Sequence, residues 1–119
     1  MPLLKLSTNL SDVSAADRRL LQSEGAAILA GEIGKSIDFV MVILEPERDI
    51  YFQGGAESPH AYLEIKNVGA LSMETCDLIC SRLCDLLERT LSIDPSHCYV
   101  EFQESERRLW GWNGKTFAS

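Results

Sequence analysis

No stretch of this 119-residue chain approaches the roughly twenty apolar residues of a membrane-crossing helix. The apolar opening, Met1-Pro2-Leu3-Leu4, is broken by Lys5 and turns polar at Ser7-Thr8-Asn9, so no secretory signal is expected and the cytosol is the default residence. Basic residues are scarce: 11 Lys and Arg stand against 18 Asp and Glu, for a net charge of −7. Phosphate backbones are held by basic patches, so nucleic acid is excluded as the expected partner. Apolar residues make up 45% of the chain, too many for a disordered one. A single domain spanning 1–119 is expected, with a core that needs no disulfide.

The chain also lacks a metal-binding spacing. Of its four cysteines, Cys76, Cys80 and Cys84 stand at i, i+4 and i+8 on one predicted helix. Zinc sites usually pair C-x2–4-C with a second such pair. Only His97 and Cys98 could supply that pair here, and they lie on another element. The cysteine stripe runs beside the apolar positions Ile79, Leu83 and Leu87, so the cysteines are expected to pack as small core hydrophobes, with no metal.

What is present is a repeated pattern. Leu3–Thr8 reads as a strand apolar enough for burial on both faces. Ser14-Ala15-Ala16-Asp17 has the form of a helix-starting capping box, and the helix is expected from Ala15 to Ile33 with a buried stripe of Leu20, Leu21, Ala27 and Ile28. Gly25 in its middle weakens the helix by roughly 1 kcal/mol relative to Ala, which suggests close packing against a sheet. Gly31 and Gly34 end it. The apolar run Phe39–Leu44 predicts a deeply buried strand, stopped by Pro46. A short edge strand is expected over 49–53, and a half-wet strand from His60 to Val68. A second helix follows over 72–91, then a strand from Cys98 to Phe102, a charged solvated turn over 104–108, and an aromatic tail.

Strand, helix, strand therefore occurs twice, and Ser36-Ile37-Asp38 recurs as Ser92-Ile93-Asp94. The fold class expected is α+β: two βαβ units forming one four-stranded mixed sheet, with both helices on one face. The other sheet face reads as too apolar for a monomer, which points to burial by further subunits.

Pro2 carries the chemical interest. An aminopeptidase normally trims Met before a small residue such as proline. The product would carry a secondary amine at its end. An unperturbed α-amino group titrates near ~8, and desolvation or a nearby cation lowers that value. Such an amine is a free base at neutral pH. Retained Met1 would block it, and a proline opening an edge strand is otherwise unremarkable.

The pieces form a constellation: Met1-Pro2 opening a strand, Gly34-Lys35 after the first helix, and Gly54-Gly55 with Glu57-Ser58-Pro59 before a strand. Val68-Gly69 before the second helix, Tyr99, and the tail Gly111-Trp112-Asn113-Gly114-Lys115-Thr116-Phe117 complete it. In their order and spacing they resemble the macrophage migration inhibitory factor family of the tautomerase superfamily over essentially the whole chain.

The resemblance implies a homotrimer with sites at subunit boundaries and no cofactor. It implies keto–enol tautomerisation of phenylpyruvate-type 2-oxo acids, and in many members isomerisation of dopachrome-type compounds. By position, Pro2 is the catalytic base, Lys35 meets the substrate carboxylate, and Val68 offers a backbone N–H. Tyr99 would come from the neighbouring subunit, while Leu3, Phe39, Trp110, Trp112 and Phe117 shape the pocket. Taken singly, a lysine at a helix end is an ordinary solvated cap, and tail aromatics are core or interface. The alternative role is that of a leaderless secreted protein that binds a receptor. Two departures stand out. His60 and Leu63 occupy the positions of a Cys-x-x-Cys found in many vertebrate members, and Glu101 replaces an asparagine, placing a carboxylate where an anionic substrate is expected.

Overall fold

The computed structural model describes residues 1–119. Strand β1 (Leu3–Thr8) leads to helix α1 (Ala15–Ile33) and strand β2 (Met41–Glu45). Strand β3 (Ala61–Val68), helix α2 (Met73–Leu91) and strand β4 (Cys98–Ser105) form the second unit. The sheet order is β2-β1-β3-β4, parallel within each unit and antiparallel where β1 meets β3. The expected mixed sheet of two βαβ units is thus present, with both helices packed on one face.

The helix ends follow their local chemistry. Ser14 Oγ accepts from the Asp17 N–H at 3.1 Å, and Ser72 Oγ accepts from the Thr75 N–H at 3.1 Å, satisfying donors that a helix leaves unpaired. Gly34 closes α1 at φ +77°, a left-handed conformation costly to a residue with a Cβ. Gly31 stays inside the helix.

The core lies between helices and sheet. Leu4, Leu6, Ala61, Leu63 and Ile65 meet Leu29 of α1 and Ile79, Leu83, Leu86 and Leu87 of α2. Each fully buried leucine or isoleucine contributes about 1.5–3 kcal/mol. On α1 the buried stripe is Leu21, Gly25 and Leu29, not the expected Leu20 and Ala27, which are exposed. Gly25 explains the rotation. A Cβ there would come within 3.0 Å of Leu4 Cδ2, so the bare glycine face is what lets α1 sit down on β1.

Several boundaries differ from the sequence reading. Phe39 and Val40 precede β2: Ser36 Oγ accepts from the Asp38 N–H and starts a 3-10 turn over Ile37–Phe39, so the strand begins at Met41, paired with Leu3. β2 is an edge strand, with Met41 and Ile43 exposed, rather than a deeply buried one. The edge strand expected over 49–53 reduces to one bridge between Phe52 and Gly55. β4 runs on to Ser105, and the tail folds back as a hairpin of β5 (Gly111–Trp112) and β6 (Lys115–Thr116). The repeated tripeptide is out of structural step: Ser36 caps the first 3-10 turn, whereas Asp94 caps the second.

The open sheet face is mostly polar, which corrects the expectation of an apolar one. Strand alternation sends Lys5, Ser7, Glu45, Tyr62, Glu64 and Glu101 there. Lys5 Nζ lies 3.5 Å from Glu45 and 3.6 Å from Glu64, so β1 is not apolar on both faces. Leu3, Met41 and Ile43 leave one apolar corner, at the end of the sheet where β1 begins.

Candidate active site

Six of the nine predicted site residues meet at that corner: Pro2, Leu3, Phe39, Trp110, Trp112 and Phe117. Pro2 is fully buried, and its carbonyl accepts the Met41 N–H at 3.1 Å, the bond that secures the Leu3–Met41 pair. Met1, Pro2, Leu3, Phe39, Met41, Trp110, Gly111, Trp112 and Phe117 line a cavity of about 160 Å³. Drug-sized ligand sites run to roughly 300–1,000 Å³. Met1 forms part of this wall, so its removal enlarges the space.

The walls come from the start of β1, the 3-10 turn, the first residue of β2 and the tail. Phe39 reaches the site from the 3-10 turn, and its ring meets Trp112 edge-on at 5.2 Å between centroids. The tail is fixed by backbone and side chain together. Phe117 N–H donates to Trp110 O at 3.1 Å, while Arg107 Nε and Nη2 donate to Phe117 O at 3.0 and 2.7 Å. Arg107 therefore holds a pocket wall and is not merely part of a solvated turn. Arg108 pairs with Glu106 instead, at 2.8 Å.

Lys35 follows the Gly34 cap, and its own N–H donates to Ala30 O at 3.1 Å. It does not line the cavity, yet its charge reaches the chain terminus. Burial first, and the Lys35 ammonium second, lower the pKa of the terminal amine from its ordinary value of 8.0. With Met1 in place that amine belongs to Met1, and the Pro2 nitrogen is an amide.

Val68 is buried two residues beyond the Leu3–Lys66 pair that ends the β1–β3 ladder. The Gly69 N–H donates across to Ser105 O at 3.1 Å on β4. Because successive residues alternate, the Val68 N–H turns the opposite way, toward β1, although Val68 does not line the cavity.

Tyr99 is elsewhere. It pairs with Tyr62, which pairs with Ser7 at the far end of β1. Five residues separate Ser7 from Pro2, or about 16 Å of strand at ~3.3 Å per residue. The Tyr99 ring is 64% exposed and tilts against Phe52, with centroids 4.7 Å apart. Within one chain, Tyr99 and Pro2 do not share a site.

The matches to known proteins bear on the same residues. A family model described as macrophage migration inhibitory factor (MIF) covers residues 1–118. This chain belongs to the macrophage migration inhibitory factor family. It is 29% identical to the macrophage migration inhibitory factor of Meriones unguiculatus, over 99% of this chain and 100% of that protein. It is 27% identical to the homolog from Brugia malayi, over 98% and 99%. The homologue from Prochlorococcus marinus superposes with a TM-score of 0.88 at 32% identity, over 97% of this chain and 98% of that one. The family places the fold within the tautomerase superfamily.

Set against this family's pattern, His60 is buried, its N–H donating to Asn9 Oδ1 at 2.8 Å. Glu101 accepts a hydrogen bond from the Tyr62 hydroxyl, whose pKa is pushed up to about 12, chiefly by that bond. The four cysteines are free thiols, all half-buried. That corrects the core reading: Ile79, Leu83, Leu86 and Leu87 form the buried stripe of α2, and the cysteines flank it. Cys98 Sγ donates to Asp94 O at 3.7 Å, and the mutual influence of the neighbouring thiols lowers the Cys84 pKa and raises that of Cys98. No three His, Cys, Asp or Glu side chains come together as a metal site. No helix is long and apolar enough to cross a membrane.

Met41 is the lining residue that sequence reasoning missed. The signal was available, since a parallel strand beginning opposite Leu3 puts its first side chain on the same face as Leu3.

Proposed function

We propose that the chain, once trimmed of Met1, is a cofactor-free keto–enol tautomerase of phenylpyruvate-type 2-oxo acids, with Pro2 as general base. The observation that carries this reading is the placement of the terminal amine. It sits at an aromatic-walled apolar cavity, with its pKa lowered by burial and by Lys35. An amine at the end of a buried Pro2 takes the same surroundings. Both causes favour its neutral, proton-accepting form, the form a general base needs.

The Pro2 nitrogen removes a proton from C3 of the keto acid. The electron pair moves to form the C2–C3 double bond, and negative charge develops on the C2 oxygen. The Val68 N–H, which turns toward β1, and the Lys35 ammonium stabilise that charge, and the Pro2 ammonium returns its proton to the oxygen, giving the enol and regenerating the free amine. Lys35 also meets the carboxylate, and Phe39, Trp110, Trp112 and Phe117 hold the aryl ring. Tyr99 serves the site of a neighbouring subunit in a homotrimer, because its own chain places it too far away. Dopachrome-type compounds, with a planar ring and a carboxylate, fit the same description.

Intact mass and activity test this together. The active protein should lack Met1. Inserting Ala between Met1 and Pro2 should abolish tautomerisation, because an amide nitrogen cannot accept the proton. Pro2→Gly keeps a terminal amine but loses the secondary amine and its ring, and activity should fall strongly. Full activity in protein whose mass retains Met1 would refute the assignment.

A further inference from the structure

Asn67 is a buried polar residue with an unmet need. It is 1% exposed, its Nδ2 donates to Gly69 O at 3.4 Å, and its Oδ1 has no hydrogen-bond partner. An acceptor left unpaired in the interior costs about 1–3 kcal/mol. Its place in the sheet suggests what the acceptor is for. The antiparallel register pairs Leu3 with Lys66, so the next step pairs Pro2 with Asn67. Pro2 and Leu4 share the helix-side face with Ile65 and Asn67, and both members of the Pro2–Asn67 step are buried.

The bonding pattern sharpens this. Pro2 O accepts from β2, so the Pro2 carbonyl makes no ladder bond to β3. Its step with Asn67 is then a non-hydrogen-bonded pair, the kind in which facing side chains approach most closely. The Asn67 amide also leans toward Gly69, along β3, and antiparallel pairing puts that end beside the start of β1.

On the reading that Pro2 is the base, we propose that Asn67 is a positioning residue whose side-chain oxygen accepts the N–H of the mature Pro2 amine. A neutral secondary amine has one N–H and one lone pair. Holding the N–H against Oδ1 aims the lone pair at the cavity, where the substrate proton is. After transfer the ammonium has two N–H bonds. One stays on Asn67, and the other carries the proton to be returned.

Lys35, from the turn after α1, is the charge that acts on the amine; Lys66 lies on the opposite face of β3 from Asn67, and Glu104 pairs with Asn67 from β4. Glu104 Oε2 is engaged by the Leu71 N–H at 2.7 Å. Asn67 adds a neutral acceptor to this set. It binds the ammonium more strongly than the neutral amine, since charge-assisted hydrogen bonds are the stronger ones.

The experiment uses trimmed protein labelled with 15N-proline. The chain has four prolines, and after trimming only Pro2 is an amine rather than an amide. Its nitrogen shift, followed against pH, reports protonation whether or not the protein is active. Asn67→Ala should move the midpoint to lower pH, and the acidic limb of kcat/KM should follow it. Its kcat should fall roughly tenfold as the lone pair loses its aim. Asn67→Asp keeps an acceptor of the same shape and adds a charge, so its midpoint should rise; it carries the test if the Ala variant fails to fold. Midpoints equal to wild type in the folded variants would overturn the proposal. Full activity in Pro2→Gly would instead sink the catalytic reading, while the nitrogen titration would still decide the Asn67 contact.

Discussion

One substitution, Gly→Ala, made at three places in α1, should have three different outcomes. At Gly31 the chain is ordinary helix and an added Cβ meets nothing within 4 Å. Ala there removes backbone freedom from the unfolded chain and should stabilise by about 0.5–1 kcal/mol. At Gly34 there is also no clash, but φ is +77°. A Cβ in that left-handed conformation costs roughly 1–2 kcal/mol, and Asn should recover part of the loss. At Gly25 the backbone is helical, and the difficulty is Leu4 Cδ2 at 3.0 Å. Overpacking a core costs about 1–3 kcal/mol, against roughly 1 kcal/mol of helix propensity gained, so Gly25→Ala should be neutral to about 2 kcal/mol destabilising. Urea unfolding at one fixed protein concentration measures all three, since assembly makes the midpoint depend on concentration. For a chain of this size, 1 kcal/mol is worth about 4 °C in Tm. Gly31→Ala falling below wild type, or Gly34→Ala matching it, would refute the conformational argument.

Two further predictions concern the site. Lys35→Ala removes the cation that helps lower the terminal amine. The amine pKa should then rise, the acidic limb of kcat/KM should move to higher pH, and the KM for phenylpyruvate should increase. Arg107→Ala removes both hydrogen bonds to Phe117 O, at 3.0 and 2.7 Å, and loosens a pocket wall without touching Pro2. KM should rise severalfold with the pH profile unmoved, and a shifted profile would show that Arg107 acts on the base instead.

The parts of the fold legible in the sequence are those governed by local chemistry. Ser14 and Gly34 bracket α1 because a helix end needs a side-chain acceptor at one side and a left-handed residue at the other. The alternation of Tyr62, Glu64 and Lys66 with Leu63 and Ile65 shows the two faces of β3 directly. What depends on partners was harder to read. The run Phe39–Leu44 is equally apolar throughout, and only its pairing with Leu3 starts the strand at Met41. The rotation of α1 rests on a contact between Gly25 and Leu4, which local patterning does not display. At the site, Pro2, Leu3, Phe39, Trp110, Trp112 and Phe117 line one cavity, whereas Lys35, Val68 and Tyr99 do not. The hold of Arg107 on Phe117 is a tertiary hydrogen bond, and the unpaired oxygen of buried Asn67 is a tertiary feature too, so neither shows in the local pattern.

The polar open face and the distant Tyr99 point to the same conclusion. A lone sheet tolerates a face carrying Lys5 between Glu45 and Glu64, so that face alone demands no partner. The apolar remainder is small and lies next to the cavity: Met41 is 61% exposed and Ile43 37%. Tyr99, with its hydroxyphenyl ring equally bare, stands at the other end of the same face. A chain presenting an incomplete apolar site at one end of a sheet and a free tyrosine at the other can complete both by head-to-tail contact with copies of itself. Such contacts close into a ring when the rotation allows. Glu101 follows Tyr99 by two residues on that face, so it would travel with Tyr99 toward the neighbour's site. Its bond from Tyr62 keeps the carboxylate occupied without neutralising it. The substrate's own negative charge would then lie between Lys35 of one subunit and Glu101 of the next, with the carboxylate drawn to the lysine and the aryl end left facing the glutamate.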